Sequence, residues 1–255
     1  MIDVVASEWL KVRTVRSTYY LVLTAVLALA LGAVISSLMT ADYDRSTPEL
    51  RAVFASADPS VFVMPFTQFA AGVIGALAVT SEYTGGMIRT VLVAVPRRMS
   101  VLAAKVAVVG GAGLLFGELV SFASYGVGAV IIGDRPAPLA QFDGLAAALP
   151  SVLANGMSIA VLALVGLGFG TLMRSTAGAL TTLCFLMFVL PMVAVLLPAP
   201  WNNRLVAVTP LYLTPQFSGA IDHAPLTPGW ALAVLLAYPV VALAAGAVAL
   251  ARRDA

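Results

Sequence analysis

Residues 81–105, SEYTGGMIRTVLVAVPRRMSVLAAK, lie between two long apolar runs and carry four of the fourteen Lys and Arg residues of the chain. A basic connector broken by Gly and Pro, flanked on both sides by runs long enough to cross a bilayer, is the water-exposed handle of a membrane protein. Composition agrees with that reading. The 255 residues are 61% hydrophobic and 10% charged, with a mean hydropathy of +1.00, whereas an ordinary soluble domain is about 25% charged. A soluble chain of this length cannot hide so much apolar surface from water, so lipid is its solvent. The net charge of +2 is too small to point to nucleic acid.

Six apolar runs reach the length of roughly 20 helical residues that a hydrocarbon core requires. They lie near 19–39, 61–80, 106–132, 149–173, 177–197 and 230–250. Each is continuously apolar rather than alternating with period two, which selects helices over a barrel. The expected fold is an all-α integral membrane protein of six spans, a single transmembrane domain over 1–255. With the N-terminus inside, the inner segments hold Lys11, Arg13, Arg16, Arg89, Arg97, Arg98, Lys105, Arg174, Arg252 and Arg253, leaving Arg45, Arg51, Arg135 and Arg204 outside. Ten basic residues against four fit the positive-inside rule, so both termini are expected to be cytoplasmic.

Ahead of the first span, Ile2, Val5, Trp9 and Val12 recur at helical spacing. Residues 1–18 are therefore expected to form an amphipathic interfacial helix, with a plain charged flank of the first span as the alternative. Residues 198–229 contain six prolines between short apolar pieces, which suits short helices at the outer interface, with an unstructured loop as the alternative.

Groups able to carry chemistry are scarce. The one Cys, Cys184, sits in an apolar run and is expected to be a small buried hydrophobe. The one His, His223, is expected in a solvated loop, so neither a disulfide nor a Cys/His metal site can be built within the chain. No nucleophile elbow and no Gly-x-x-x-x-Gly-Lys-Ser/Thr run occurs, so no catalytic residue, metal or bound cofactor is assigned. Gly166 with Gly170, and Gly113 with Gly117, make small-x-x-x-small faces for close helix packing. Glu118 is the one ionisable residue deep in a predicted span; it must face protein or water or be protonated, as a structural carboxyl or as a transport or proton site. At the end of the second span, Ser81 is expected to cap a short helix with Glu82 in its first turn, before Gly85 and Gly86 allow a bend and Pro96 breaks any helix.

The run 78–105 resembles the segment after the second helix in permeases of type-2 ABC exporters, the group that includes bacterial antibiotic-resistance and sodium-efflux permeases. Glu82, Gly85, Arg89, Val91, Leu92, Pro96, Arg97 and Lys105 carry the likeness, and SEWLKVRTVRST at 7–18 and GLGFGTLMRSTAGAL at 166–180 extend it. The resemblance implies a multi-pass permease of the plasma (inner) membrane. It would pair with a second copy or a homologous permease and with two copies of a cytosolic ABC ATPase, which would bind ATP and magnesium. It further implies that the helix over 82–90 is the coupling helix, with Glu82, Tyr83, Arg89 and Thr90 meeting the ATPase, and that residues 1–18 form the elbow. The second and fifth spans would line the path, placing Thr67, Gln68, Phe185, Phe188 and Met192 near substrate, with Pro191 free to kink the fifth span. These neutral, aromatic and Met side chains suit an amphipathic or lipid-like cargo of the kind that includes antibiotics. A proton- or ion-coupled secondary transporter using Glu118, and a membrane structural or regulatory subunit, stay open as alternatives.

Overall fold

The computed structural model describes residues 2–84, 86, 98–221 and 223–252, and these are helical with connecting turns. The N-terminal helix α1 (Ile2–Thr14) is joined through the single extended residue Val15 to α2 (Arg16–Arg45). Next come the short α3 (Pro48–Arg51), α4 (Ser60–Thr84), α5 (Arg98–Ile132) and α6 (Leu145–Met173). The fifth span is composite, with α7 (Thr176–Cys184), a π-helical turn (Phe185–Val189) and α8 (Leu190–Val195). The short α9 (Trp201–Ala207) and α10 (Pro210–Phe217) precede α11 (Pro228–Arg252). Among the described residues six segments, 17–45, 60–84, 99–132, 145–173, 176–195 and 228–252, are long and apolar enough to cross a membrane, as the apolar runs predict.

Helix α6 is the axis of the bundle, packed most heavily against α4, α5 and α11. Its glycines explain how. A Cβ on Gly166 would stand 1.8 Å from the carbonyl oxygen of Gly72, and one on Gly170 2.7 Å from that of Ala76, so α4 and α6 touch backbone to backbone. Gly168, on the other side of α6, meets Ala242 of α11 in the same way, at 2.6 Å. Gly117 of α5 would bring a Cβ to 2.2 Å from the Gly156 carbonyl oxygen. Small residues four apart let helices approach without the help of a hydrophobic effect, which lipid does not supply.

The fifth span changes its helix type just ahead of Pro191. Proline has no N–H and its ring crowds the preceding turn. The chain widens to a π turn just before it, and the Leu190 N–H bonds the Phe185 carbonyl.

At one end of the bundle the links cross-brace. The Ala57 N–H bonds the Leu139 carbonyl at 3.2 Å, and Arg135 makes a bidentate pair with Asp44 at 2.9 and 2.8 Å. The proline-rich link folds as α9 and α10 rather than as an unstructured loop, and Gln216 holds it by donating to the Ala207 and Tyr212 carbonyls and accepting from the Leu226 N–H.

Two local expectations are corrected. Helix α4 runs on through Thr84, so Ser81 and Glu82 occupy its last turn, and the Ser81 hydroxyl bonds the Leu77 carbonyl instead of capping a new helix. Cys184 is exposed rather than buried, because the fifth span packs on α4 and α6 through Ala179, Leu183 and Met187 and turns its other face outward.

Candidate functional site

The opposite end of the bundle holds a closed ring of four charges. Helix α1 supplies Glu8 and Lys11, one turn apart and so on one face. Helix α4 supplies Glu82 from its last turn and α5 supplies Lys105, two turns in from its start. The Lys11 ammonium donates to Glu8 Oε1 at 2.6 Å and to Glu82 Oε1 at 2.7 Å. The Lys105 ammonium donates to Glu8 Oε2 at 2.8 Å, to Glu82 Oε1 at 2.7 Å and to the Ala78 carbonyl at 3.0 Å. All three Lys105 protons are thereby used, which is what a side chain only 3% exposed requires.

Two acids and two bases cancel, so the ring is neutral and its members can be buried together. Lys11 is the exception at 41% exposed. Burial acts to lower its pKa, but the hydrogen bonds and charges of Glu8 and Glu82 outweigh it and hold the group above the ordinary lysine value of 10.5. With the folded value raised, its contribution to stability is complete below 10.5 and fades only as pH climbs through the folded pKa. Lys11 is therefore fully charged at neutral pH.

The ring ties α1 to the two helices that bracket residues 85–97. Tyr83, beside Glu82, turns inward too, with Arg174 of the α6 C-terminus over its ring at 5.2 Å. Thr80 of α4 is joined to Thr176 of the fifth span by a 2.9 Å hydroxyl contact. Of the four residues assigned to coupling, Glu82 and Tyr83 are thus anchored within the bundle, while Arg89 and Thr90 lie outside the described residues, as do Pro96 and Arg97.

The five residues assigned to a substrate path separate into two groups. Thr67 and Gln68 are enclosed, the Thr67 hydroxyl bonding the Val63 carbonyl and Gln68 bonding Ser158 of α6. Phe185, Phe188 and Met192 lie on the outward face of the fifth span, Met192 at 72% exposure. Phe69, one residue beyond Gln68, makes the link to that span by meeting Phe188 edge-on at 5.4 Å. Glu118 packs its carboxyl on the Cα of Gly156 in α6, and its Oε2 is buried without a hydrogen-bond partner among the described residues.

Sequence reasoning missed Glu8 and counted Lys11 only as one of the basic residues of the inner side. The packed stripe of α1 is Val5, Glu8 and Val12, with Trp9 to its side and 43% exposed. An acid interrupting an apolar stripe was the available signal.

No curated protein matches the chain. The sequence profile described as ABC-2 family transporter protein matches residues 4–191, which takes in the ring, both flanks of the 85–97 segment, the α4–α6 glycine contacts and the fifth span as far as Pro191. Proteins of this family are membrane components of transport, not themselves catalytic, that work with an ABC ATPase in the lipid bilayer. The chain belongs to the ABC-2 transporter family, as a multi-pass, all-helical membrane protein.

Proposed function

We propose that the chain is the permease subunit of an ATP-driven exporter of the plasma membrane. Its termini are cytoplasmic, it works as a pair with a second copy or a homologous permease, and two copies of a separate ATPase bind the ATP and magnesium. The observation that carries this reading is the ring of Glu8, Lys11, Glu82 and Lys105. A push delivered to residues 85–97 reaches α4 and α5 together, and the ring passes it to α1 as one body, because separating any pair strands a buried charge. Helix α1 then serves as the elbow at the membrane surface. Arg89 and Thr90 touch the ATPase, while Glu82 and Tyr83 anchor the segment that carries them.

The cargo is amphipathic or lipid-like, including compounds of the antibiotic type. Phe185, Phe188 and Met192 give the fifth span an exposed aromatic and thioether face that adapts to variable apolar shapes. The π turn before Pro191 lets that face shift as the path opens. One observation favours a second reading: the unpartnered, buried Glu118 Oε2 suits a proton-coupled transporter.

A photo-crosslinking amino acid at Arg89, in the native membrane, tests the first reading. The expected product is an adduct with a nucleotide-binding subunit, lost when the crosslinker is moved to Ala137 in a link of the opposite end. Equal yields at the two positions, or no such adduct, would count against it.

A further inference from the structure

A cavity of about 420 Å³ opens at the cross-braced end, between α4, α6, α10 and the 133–144 link. That volume lies within the range of about 300–1,000 Å³ typical of ligand pockets. Gln68, about 12 Å below the start of α4 at 1.5 Å per residue, lines it together with Asn155 and Thr214. Gln68 is 1% exposed and Thr214 2%. Each has a buried polar atom with no partner among the described residues, Gln68 Oε1 and Thr214 Oγ1.

The orientation of the Gln68 amide is fixed by its neighbours. The Ser158 hydroxyl gives its single proton to the Asn155 carbonyl at 2.6 Å, so toward Gln68 it can only accept, which it does from Nε2 at 2.6 Å. The oxygen of Gln68 is therefore the free end, a buried acceptor in want of a donor. Charge narrows the ligand further. No Lys, Arg or His is among the described residues lining the cavity, which disfavours an anion. Among the described residues its one carboxylate, Asp58, is engaged by Ser60 through the backbone N–H at 2.9 Å and the hydroxyl at 2.7 Å. Asp58 lies ten residues before Gln68, leaving the floor without a counter-charge for a cation. Met64, Pro65, Leu211 and Tyr212 supply apolar and aromatic surface beside the polar atoms.

We propose that this cavity binds a neutral, hydroxyl-bearing group, a sugar or polyol, whose O–H donates to Gln68 Oε1 and which hydrogen-bonds the Thr214 hydroxyl. The site lies inside one protomer and stands whether or not the chain exports. The group arrives either free in solution or as the head of an amphiphile.

The test uses the purified full chain in phosphatidylcholine nanodiscs, titrated calorimetrically with hexyl β-glucoside and with free glucose, with empty discs subtracted. Hexyltrimethylammonium and hexyl phosphate serve as charged controls on the same alkyl chain. Saturable binding of the glucoside, weakened about fivefold by Gln68→Leu and by Thr214→Val, is the expected result. Thr214→Val removes a hydroxyl that has no partner among the described residues, so it folds even where Gln68→Leu, which strands Ser158, does not. Glucose binding as tightly as the glucoside assigns a free polyol, and glucoside binding alone assigns an amphiphile head; either supports the site. Equal binding of the charged controls, undiminished binding by Thr214→Val, or no saturable binding above empty discs would mean that the cavity holds water only and would overturn the proposal.

Discussion

Replacing Lys105 with Met keeps the length and apolar stem of the side chain but deletes the ammonium that closes the charge ring. Glu8 and Glu82, both buried, are then left to share Lys11 alone. Three hydrogen bonds, of 2.7, 2.8 and 3.0 Å, disappear together. Removing one partner of a buried ion pair costs about 3–5 kcal/mol, because the stranded charge keeps its desolvation penalty. Helix α1 should loosen along with the general loss, since the ring holds it to α4 and α5. Adding Glu8→Gln restores neutrality, leaving one acid, Glu82, against one base, Lys11. The double variant should therefore recover about 1–3 kcal/mol relative to the sum of the two single effects. Reversible unfolding in mixed micelles, followed through the denaturant midpoints of all four proteins of the cycle, measures this directly. A Lys105→Met cost below about 1 kcal/mol, or strict additivity in the cycle, would refute the ring as a coupled unit.

Three further outcomes are expected. In a Cys184→Ser background, needed because Cys184 is exposed, single cysteines at Ser46, Ala137 and Ala220 should react with an impermeant thiol reagent added outside and one at Ala94 should not; the reverse pattern would invert the topology. Gly166→Ala would place a Cβ 1.8 Å from the Gly72 carbonyl oxygen and should destabilise the fold by about 1–3 kcal/mol or more, whereas Gly111→Ala and Gly126→Ala, with nothing within 4 Å, should be near neutral on thermal unfolding. Glu118→Gln keeps shape and hydrogen-bonding capacity without the ionisable proton, so transport measured across a pH series should be unchanged; loss of transport would transfer support to proton coupling.

The six spans were legible because hydropathy is a local property of the chain, and each apolar run became a helix in place. Their ends were less so. Residues 81–84, SEYT, continue α4 although nothing in their polarity distinguishes a last helical turn from a loop. The glycine faces were readable from spacing alone, since Gly166 and Gly170 must share a side of any helix. Their partners were not, because Gly72 and Ala76 become neighbours only when α4 and α6 pair. The same limit hid the ring. Glu8 and Lys105 are 97 positions apart, and no local pattern marks two opposite charges as destined for one buried cluster. Gln68 was read as a path residue from its place in the second span. Its hydrogen bond to Ser158, 90 positions away, and the exposure of Phe185, Phe188 and Met192 on the fifth span could not be read from the sequence, because both depend on how the helices pair.

The central claim is that ATP hydrolysis by a partner drives export through this chain, and proteoliposomes holding the permease with its ATPase test it most directly. Orientation is selected so that the 85–97 segment faces the nucleotide, and movement of a fluorescent amphipathic dye is followed. The account predicts dye transport away from the nucleotide side that needs ATP and magnesium, survives collapse of the proton gradient, and falls at least tenfold with Phe188→Arg, because a bare cation in an apolar path costs more than the roughly 1.4 kcal/mol that a factor of ten represents. Transport that stops when the proton gradient is collapsed but continues without ATP would contradict it.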